Sequence, residues 1–401
     1  MNVRIYPSRA HGSVGAPPSK SMAHRLLICA ALAKGESRME GVSDCEDVQA
    51  TLDSLQALGA ECKIENNIVI LKGIDFHNRS TSMLPCRESG STMRFMLPLC
   101  LLSGEKYTLV GAPSLLRRPM TPYQNICKEQ DFFFEQTESG ITVAGQLKAT
   151  EYTLPGDISS QFISGMLFAL TQVSGESILH VLPPFESRSY VLLTLQALAL
   201  FGADIKWMDE NTLRIIGGNP MRAQNLTVEG DYSGAAFLSA LNALGGDVTV
   251  TGLNSESLQG DRVYFEHFAS LKSGFATISL ANCPDLAPIL FALAAAGQGA
   301  RFTDTKRLKI KESDRAEAMA TELRKFGATV DVYENEVLIT PTDFHIPQEP
   351  LSGHNDHRIV MSLAVLATLT GGVIEGAEAV AKSFPDFFER IASLGIQLEE
   401  I

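Results

Sequence analysis

The sequence predicts an α/β protein of two domains, assembled from six copies of one unit that reads βαβαββ. Three observations carry that prediction. First, six strongly apolar helices each begin on a cluster of charged or hydroxyl residues: Pro17-Pro18-Ser19-Lys20-Ser21, Glu88-Ser89-Gly90-Ser91, Ile158-Ser159-Ser160-Gln161, Gly230-Asp231-Tyr232-Ser233, Cys283-Pro284-Asp285 and His354-Asn355-Asp356-His357-Arg358. With Lys20, Gly90, Ser159, Asp231, Asp285 and His357 as markers, the steps are 70, 69, 72, 54 and 72 residues. Second, helices stop at the same period, at Gly59, Gly202, Gly274, Gly327 and Gly395, and Asp131 fills the one double step of 143 residues. Glycine, and less often Asp, accepts the left-handed backbone of a helix C-terminus. Third, 401 residues exceed what one compact core organises, so two domains of three units each are expected.

Unit one shows the order of elements. A turn at Ser19 to Ser21 opens an apolar helix over 22–33. Ser43 with Glu46 three residues later reads as a capping box for a second helix, in which Val48, Leu52, Leu55 and Leu58 recur at helical spacing. After Gly59, two alternating strands over 61–64 and 68–71 flank a turn at Asn66-Asn67. The other five units follow the same order with different caps, and the short step falls in the fourth. The first helices, such as 26–32, 289–295 and 361–369, are apolar nearly all round and belong inside their domain. The second helices, such as 317–326, are amphipathic and turn one face to solvent.

Composition narrows the function classes. With 45% hydrophobic and 20% charged residues the chain reads as an ordinary globular protein. The start MNVRIYPSRAHGS has no apolar signal core, and apolar runs such as 286–296 are too short to cross a bilayer. A cytoplasmic protein with no membrane association is expected. Seven scattered cysteines show no CxxC pair and no metal-ligand spacing, which suits indifferent thiols in a reducing compartment. A net charge of −13 argues against a nucleic-acid or anionic-membrane surface. A site for an anion must therefore gather positive charge locally.

The helix starts supply it. A helix N-terminus offers unpaired N–H groups and a positive dipole end, which suit anions. The run before Lys20 resembles a phosphate-binding P-loop only superficially, because Val14 and Ser19 occupy its glycine positions. What remains is a rigid Pro-Pro turn that delivers Lys20 and Ser21, with Arg25 about one turn further on. Gly90 allows a ligand close to the backbone, and Arg117-Arg118 put two arginines in a loop. In Ser159-Ser160-Gln161 one hydroxyl suffices as a cap, and two polar groups are surplus. Asp285 sets a carboxylate at the mouth of a wholly apolar helix, as a cap or as a base. The densest charge run is Lys306 to Arg315; alternation puts Lys309 and Lys311 on one strand face, Leu308 and Ile310 on the other, and Arg315 at the next helix start. Asn355 or Ser383 can cap the last helices, whereas Arg358 and Lys382 have no capping role. His354 and His357 lack a third metal ligand. Taken singly, each motif also reads as a plain cap or as solvated surface charge.

Taken in order, PSKS-x-x-x-R, SGST-MR, RRP, SSQF, PD, KIKESDR, NDHR and AKSFPDFFE resemble the 5-enolpyruvylshikimate-3-phosphate (EPSP) synthase family, from about residue 4 to the C-terminus. The resemblance implies the two-domain inside-out α/β barrel of the enolpyruvyl transferases, whose two lobes close over the substrates. One domain would hold residues 19–229, the other 1–18 plus 230–401. It implies transfer of the enolpyruvyl group of phosphoenolpyruvate to the 5-hydroxyl of shikimate 3-phosphate, within chorismate and aromatic amino acid biosynthesis, by a monomer with no cofactor and no metal.

Carried onto matching positions, Lys20, Ser21, Arg25, Ser159, Ser160, Gln161, Ser187, Asp285 and Lys311 would hold shikimate 3-phosphate. Lys20, Gly90, Arg118, Gln161, Arg315, Arg358 and Lys382 would hold phosphoenolpyruvate, and Arg94 adds a further cation. Both substrates carry a phosphate and a carboxylate, which is why so many cations are needed. Asp285 would act as base toward the 5-hydroxyl, Glu312 as proton donor to C3, and Lys20 would assist transfer at the leaving phosphate and hydroxyl. Three positions depart from the family pattern: Glu88 where Asn is usual, Phe95 where Pro often follows Met-Arg, and Arg307 where Asn contacts the shikimate phosphate. The first two bear on sensitivity to the inhibitor glyphosate. The rival within the same fold is UDP-N-acetylglucosamine enolpyruvyl transferase, which uses a cysteine in the loop matching 111–120; GAPSLLRRPM has none. An anion-binding scaffold would not need Asp285, Glu312 and His357, and the acidic net charge disfavours an RNA 3′-phosphate cyclase.

Overall fold

A computed structural model describes residues 1–74, 81–341 and 343–401. The chain divides into two compact units, one of Met1–Ser19 with Gly230–Ile401 and one of Lys20–Glu229. Each has its own apolar core.

Five four-stranded sheets share one topology. In each, the first two strands are parallel, and in four of the five a helix joins them; the fourth strand pairs antiparallel with the second, and the third lies outside the fourth. Within Lys20–Glu229 these are Met83–Pro85, Lys106–Val110, Gly140–Ala144 and Phe133–Thr137, in spatial order, and Glu151–Pro155, Gly175–Leu182, Thr212–Gly217 and Asp204–Trp207. The third sheet places Glu36–Glu40, Ile68–Lys72 and Glu61–Glu65 beside Asn225–Thr227, so its first strand comes from the far end of the unit. The other unit repeats the device. Asn2–Ile5 is the fourth strand beside Leu351–Ser352, Gly372–Glu375 and Leu398–Glu400, next to the self-contained sheet of Ala276–Ser279, Ala300–Thr303, Glu336–Thr340 and Thr329–Val332. Parallel strands require a crossover, and Gly90–Cys100, Ser160–Leu170, Ala287–Ala296 and His357–Thr370 are such crossovers, whereas Lys20–Leu32 and Tyr232–Ala243 each link strands of two different sheets.

Those first helices are Lys20–Leu32, Gly90–Cys100, Ser160–Leu170, Tyr232–Ala243, Ala287–Ala296 and His357–Thr370. Every residue from Ala287 to Ala295, and from His357 to Thr368, is buried, as a helix apolar nearly all round requires. The helix stops adopt positive φ at Gly59, Asp131, Gly202, Gly274, Gly327 and Gly395, between 56° and 149°.

Two local expectations fail. The second helix of unit one begins at Glu46 with Cys45 as its N-cap, so Ser43 lies too far upstream for a capping box; its Oγ accepts from the Cys45 N–H at 3.2 Å instead. The Lys306–Ile310 run is a 3₁₀ turn, not a strand. Glu336–Thr340 already occupies the place beside Ala300–Thr303, and the turn buries Arg307 with Leu308 while Lys306 and Lys309 stay exposed.

The fourth unit is abbreviated. Its sheet contains only His11–Gly15 and Asp247–Thr251 among the described residues, with no third and fourth strand, which accounts for the 54-residue step. The Asp247 N–H and Thr251 carbonyl bond toward His11–Gly15, so the polar groups of Val248 face the other way. There the Asn242 carboxamide stands in for a strand: Nδ2 donates to the Val248 carbonyl at 2.8 Å, and Oδ1 accepts from the Val248 N–H at 2.7 Å. Asn242→Ala removes both bonds and is expected to cost about 2 kcal/mol. Urea unfolding checks this as a lowered midpoint with an unchanged m-value.

Candidate active site

In the unit Lys20–Glu229, Lys20 is the first residue of its helix, where the dipole opposes a cation. It is held by Asp47, whose Oδ2 lies 2.8 Å from the ammonium at the start of the next helix. Arg25 is buried; its Nε donates to Thr194 Oγ1 at 2.9 Å, Nη1 to the Ser21 carbonyl at 2.5 Å and Nη2 to the Tyr190 carbonyl at 3.0 Å. Burial draws its pKa down to about 10. Phe95 is fully buried below it, with the guanidinium 5.4 Å from the ring centroid, so this departure from the family pattern forms part of the floor under Arg25.

Gly90 opens the neighbouring helix, and a Cβ there would stand 2.8 Å from Arg118 Nη1. Only glycine lets that guanidinium lie against the backbone. Arg94 donates to Gln161 Oε1 at 2.7 Å, and Gln161 Nε2 donates to Ser91 Oγ at 2.8 Å, which orients the carboxamide. Ser159 caps its helix by accepting from the Gln161 N–H at 3.3 Å, while Ser160 is buried. Ser187 is buried in left-handed backbone, with φ at 52°, just before the helix Arg188–Leu200.

In the other unit a carboxylate and cation cluster surrounds Arg315, the first residue of the helix Arg315–Lys325 and 1% exposed. Its Nε donates to Asp356 Oδ2 at 2.9 Å, Nη1 to Asp285 Oδ1 at 2.8 Å and Nη2 to Glu312 Oε2 at 2.6 Å. Burial opposes the charge, but Asp356, Glu312 and Asp285 outweigh it and raise the pKa above the ordinary arginine value. Asp285 also takes Lys311 Nζ at 3.2 Å and Arg358 Nη2 at 3.1 Å. Burial lowers the Lys311 pKa, and the charge on Arg315 pushes the same way against Asp285. Lys382 donates to the Asn355 carbonyl at 2.7 Å. Arg307 is buried and donates to the Ala281 carbonyl at 2.5 Å, so it does not point to solvent.

The structure thus brings Asp285, Lys311, Glu312, Arg315 and Arg358 together in one unit, and Gly90, Arg94, Arg118 and Gln161 in the other. Sequence reasoning passed over two partners. Asp356, and not Asn355 or Ser383, caps the helix His357–Thr370, accepting from the Arg358 N–H at 2.9 Å, and it also receives Arg315. Its position one residue before an apolar helix was the available signal. Asp47, 27 residues from Lys20, carried none. His354 pairs with Glu322 at 2.8 Å, and among the described residues no group of three or more His, Cys, Asp or Glu is placed to hold a metal. No helix of the described residues is long and apolar enough to cross a membrane.

Asp261, buried and bonded to Ser233 Oγ, lies close to this cluster. Burial, and then the charge on Asp285, pushes its pKa up to about 6. A carboxyl that holds its proton more tightly when folded contributes stability below about pH 4, and that contribution is lost as pH rises through about 6. Asp261→Asn, which stays neutral, is expected to gain on the unaltered protein by on the order of 2 kcal/mol between about pH 4 and pH 7. Urea titrations at both pH values measure the difference.

The chain matches the family described as EPSP synthase (3-phosphoshikimate 1-carboxyvinyltransferase) over residues 6–391. It is 37% identical to a 3-phosphoshikimate 1-carboxyvinyltransferase of Clostridium kluyveri, covering 99% of this chain and 98% of the relative. A Clostridium perfringens protein of the same name is 36% identical, with 99% of each chain covered. The solved EPSP synthase of Acinetobacter baumannii superposes with a TM-score of 0.79 at 25% identity over 99% of both chains. A match of this length, with relatives this similar from end to end, means that the chain belongs to the EPSP synthase family.

Proposed function

We propose that this chain transfers the enolpyruvyl group of phosphoenolpyruvate to the 5-hydroxyl of shikimate 3-phosphate and releases phosphate. Beyond family membership, one observation carries the reading: Asp285 sits among Lys311, Arg315 and Arg358, with cation–oxygen distances of 2.8 to 3.2 Å. That arrangement couples a base to cations whose preferred partners are phosphates and carboxylates. An arriving anion competes for those cations and frees the carboxylate to accept a proton.

In the first step the 5-hydroxyl oxygen bonds to C2 of phosphoenolpyruvate, its proton passes to Asp285, and C3 takes a proton from Glu312. In the second, the C2–O bond to phosphate breaks and C3 gives its proton back, which leaves the enol ether. Lys20 assists at the leaving phosphate. Glu312, bonded to Arg315 at 2.6 Å, is oriented by that bond. Shikimate 3-phosphate is assigned to Ser21, Arg25, Ser159, Ser160, Gln161, Ser187 and Lys311 with Lys20 and Asp285. Phosphoenolpyruvate is assigned to Gly90, Arg118, Arg315, Arg358 and Lys382 with Lys20 and Gln161. A monomer acting in the cytoplasm without cofactor or metal completes the reading, on the family resemblance alone.

UDP-N-acetylglucosamine enolpyruvyl transfer is disfavoured because the segment around Pro113–Leu116 carries no cysteine. Phosphate release from phosphoenolpyruvate is expected with shikimate 3-phosphate and not with UDP-N-acetylglucosamine; no release with the former ends the reading. Asp285→Ala is expected to lower kcat about 10³-fold, the scale of a lost general base. Turnover largely retained in that variant would remove Asp285 from the role.

A further inference from the structure

Glu322 is a carboxylate only 1% exposed, on the same helix as Arg315 and seven residues after it, so both side chains project from one face. Its Oε1 meets His354 Nε2 at 2.8 Å, and its Oε2 accepts from Lys325 Nζ at 2.8 Å and from the Ser352 N–H at 3.0 Å. None of these partners belongs to the cluster around Asp285. Lys325 is on the same helix, whereas Ser352 and His354 begin the loop that ends in Asp356 and Arg358.

That loop is backbone-strained. His354 and Asn355 are consecutive non-glycine residues with φ at 48° and 53°, a left-handed pair that side chains disfavour. Such a conformation persists where its surroundings over-determine it. Here the anchors are Glu322 on Ser352 and His354, the Gly353 N–H on the Glu375 carbonyl at 2.8 Å, and Arg315 on Asp356. The left-handed turn aims the Asn355 carbonyl at Lys382 and delivers Asp356 to Arg315, with Arg358 next in line to reach Asp285.

We infer that Glu322 and His354 are positioning residues: they clamp the start of the loop 352–358 to the helix Arg315–Lys325, as Arg315 clamps its end, and so place Arg315, Arg358 and Lys382 for phosphoenolpyruvate. The inference rests on the assignment of those three cations to phosphoenolpyruvate. Neither Glu322 nor His354 touches a reacting atom. Loosening the first clamp leaves the cations in place chemically but spreads their positions, and the affinity for one substrate falls while the other is spared.

The test is steady-state kinetics of phosphate release with each substrate varied against saturation by the other. His354→Leu, at a half-buried position that tolerates an apolar side chain, is expected to raise KM for phosphoenolpyruvate about tenfold and to move KM for shikimate 3-phosphate less than about twofold. His354→Gln, which can bond Glu322 again, is expected to return KM for phosphoenolpyruvate to within about threefold of the unaltered protein. Glu322→Gln should reproduce the same selective rise. A KM for phosphoenolpyruvate unchanged in both His354→Leu and Glu322→Gln, or two KM values rising together, overturns the inference. Absence of turnover in the unaltered protein overturns the functional reading itself, a separate result.

Discussion

A guanidinium that is 1% exposed must have its donors matched, because desolvation of a lone cation costs several kcal/mol. Arg315 meets this constraint with Asp285, Glu312 and Asp356, which come from three different segments of the chain. Each of those segments is thereby tied to the first turn of one helix. The 3₁₀ turn Pro284–Leu286 is held through Asp285, the end of the Lys306–Ile310 run through Glu312, and the start of the helix His357–Thr370 through Asp356. The planar fork of arginine allows this, with three nitrogens donating in three directions; a lysine at the same place has one nitrogen and no such reach.

The architecture explains why the charges collect where they do. The first helices are apolar along most of their buried length, and the site's hydroxyls, carboxylates and cations gather toward their N-terminal ends. Lys20 and Arg358 stand at the N-termini of first helices and Arg315 at that of a second helix, where the dipole disfavours them and anions are favoured. Acidic neighbours neutralise them: Asp47 for Lys20, Asp285 for Arg358. Sheets of one topology surround these helices, and the two units close theirs with strands brought from elsewhere in the chain, Asn225–Thr227 in one and Asn2–Ile5 in the other.

Several elements were legible without coordinates because they depend on nearest neighbours along the chain. Helix stops need a residue that accepts positive φ, and glycine or Asp announces it at Gly59, Asp131, Gly202, Gly274, Gly327 and Gly395. Where several local rules compete, spacing along the chain does not decide the outcome. Ser43 and Glu46 have the spacing of a capping box, yet the helix begins two residues too late for Ser43 to serve. Lys306 to Ile310 alternates like a strand, yet the sheet it would join has no open place. The Asp47 partner of Lys20, the Thr194 partner of Arg25 and the Glu322 anchor of His354 lie 27, 169 and 32 residues away, beyond any local signal.

The sequence by itself determined the six-fold period, the buried character of the first helices, the polar groups at their starts and the family, since hydrophobic spacing and motif order are properties of the chain read in one dimension. It also marked the fourth unit as short. Only the tertiary structure decided that Asn242 fills the edge which that short unit leaves, and that Arg307 lies buried. It alone decided that Asp356 is both cap and counter-ion. Pairing among buried charges is settled by which side chains the packed helices and sheets bring within about 3 Å, and a charge–charge energy that varies inversely with distance leaves no trace in sequence spacing.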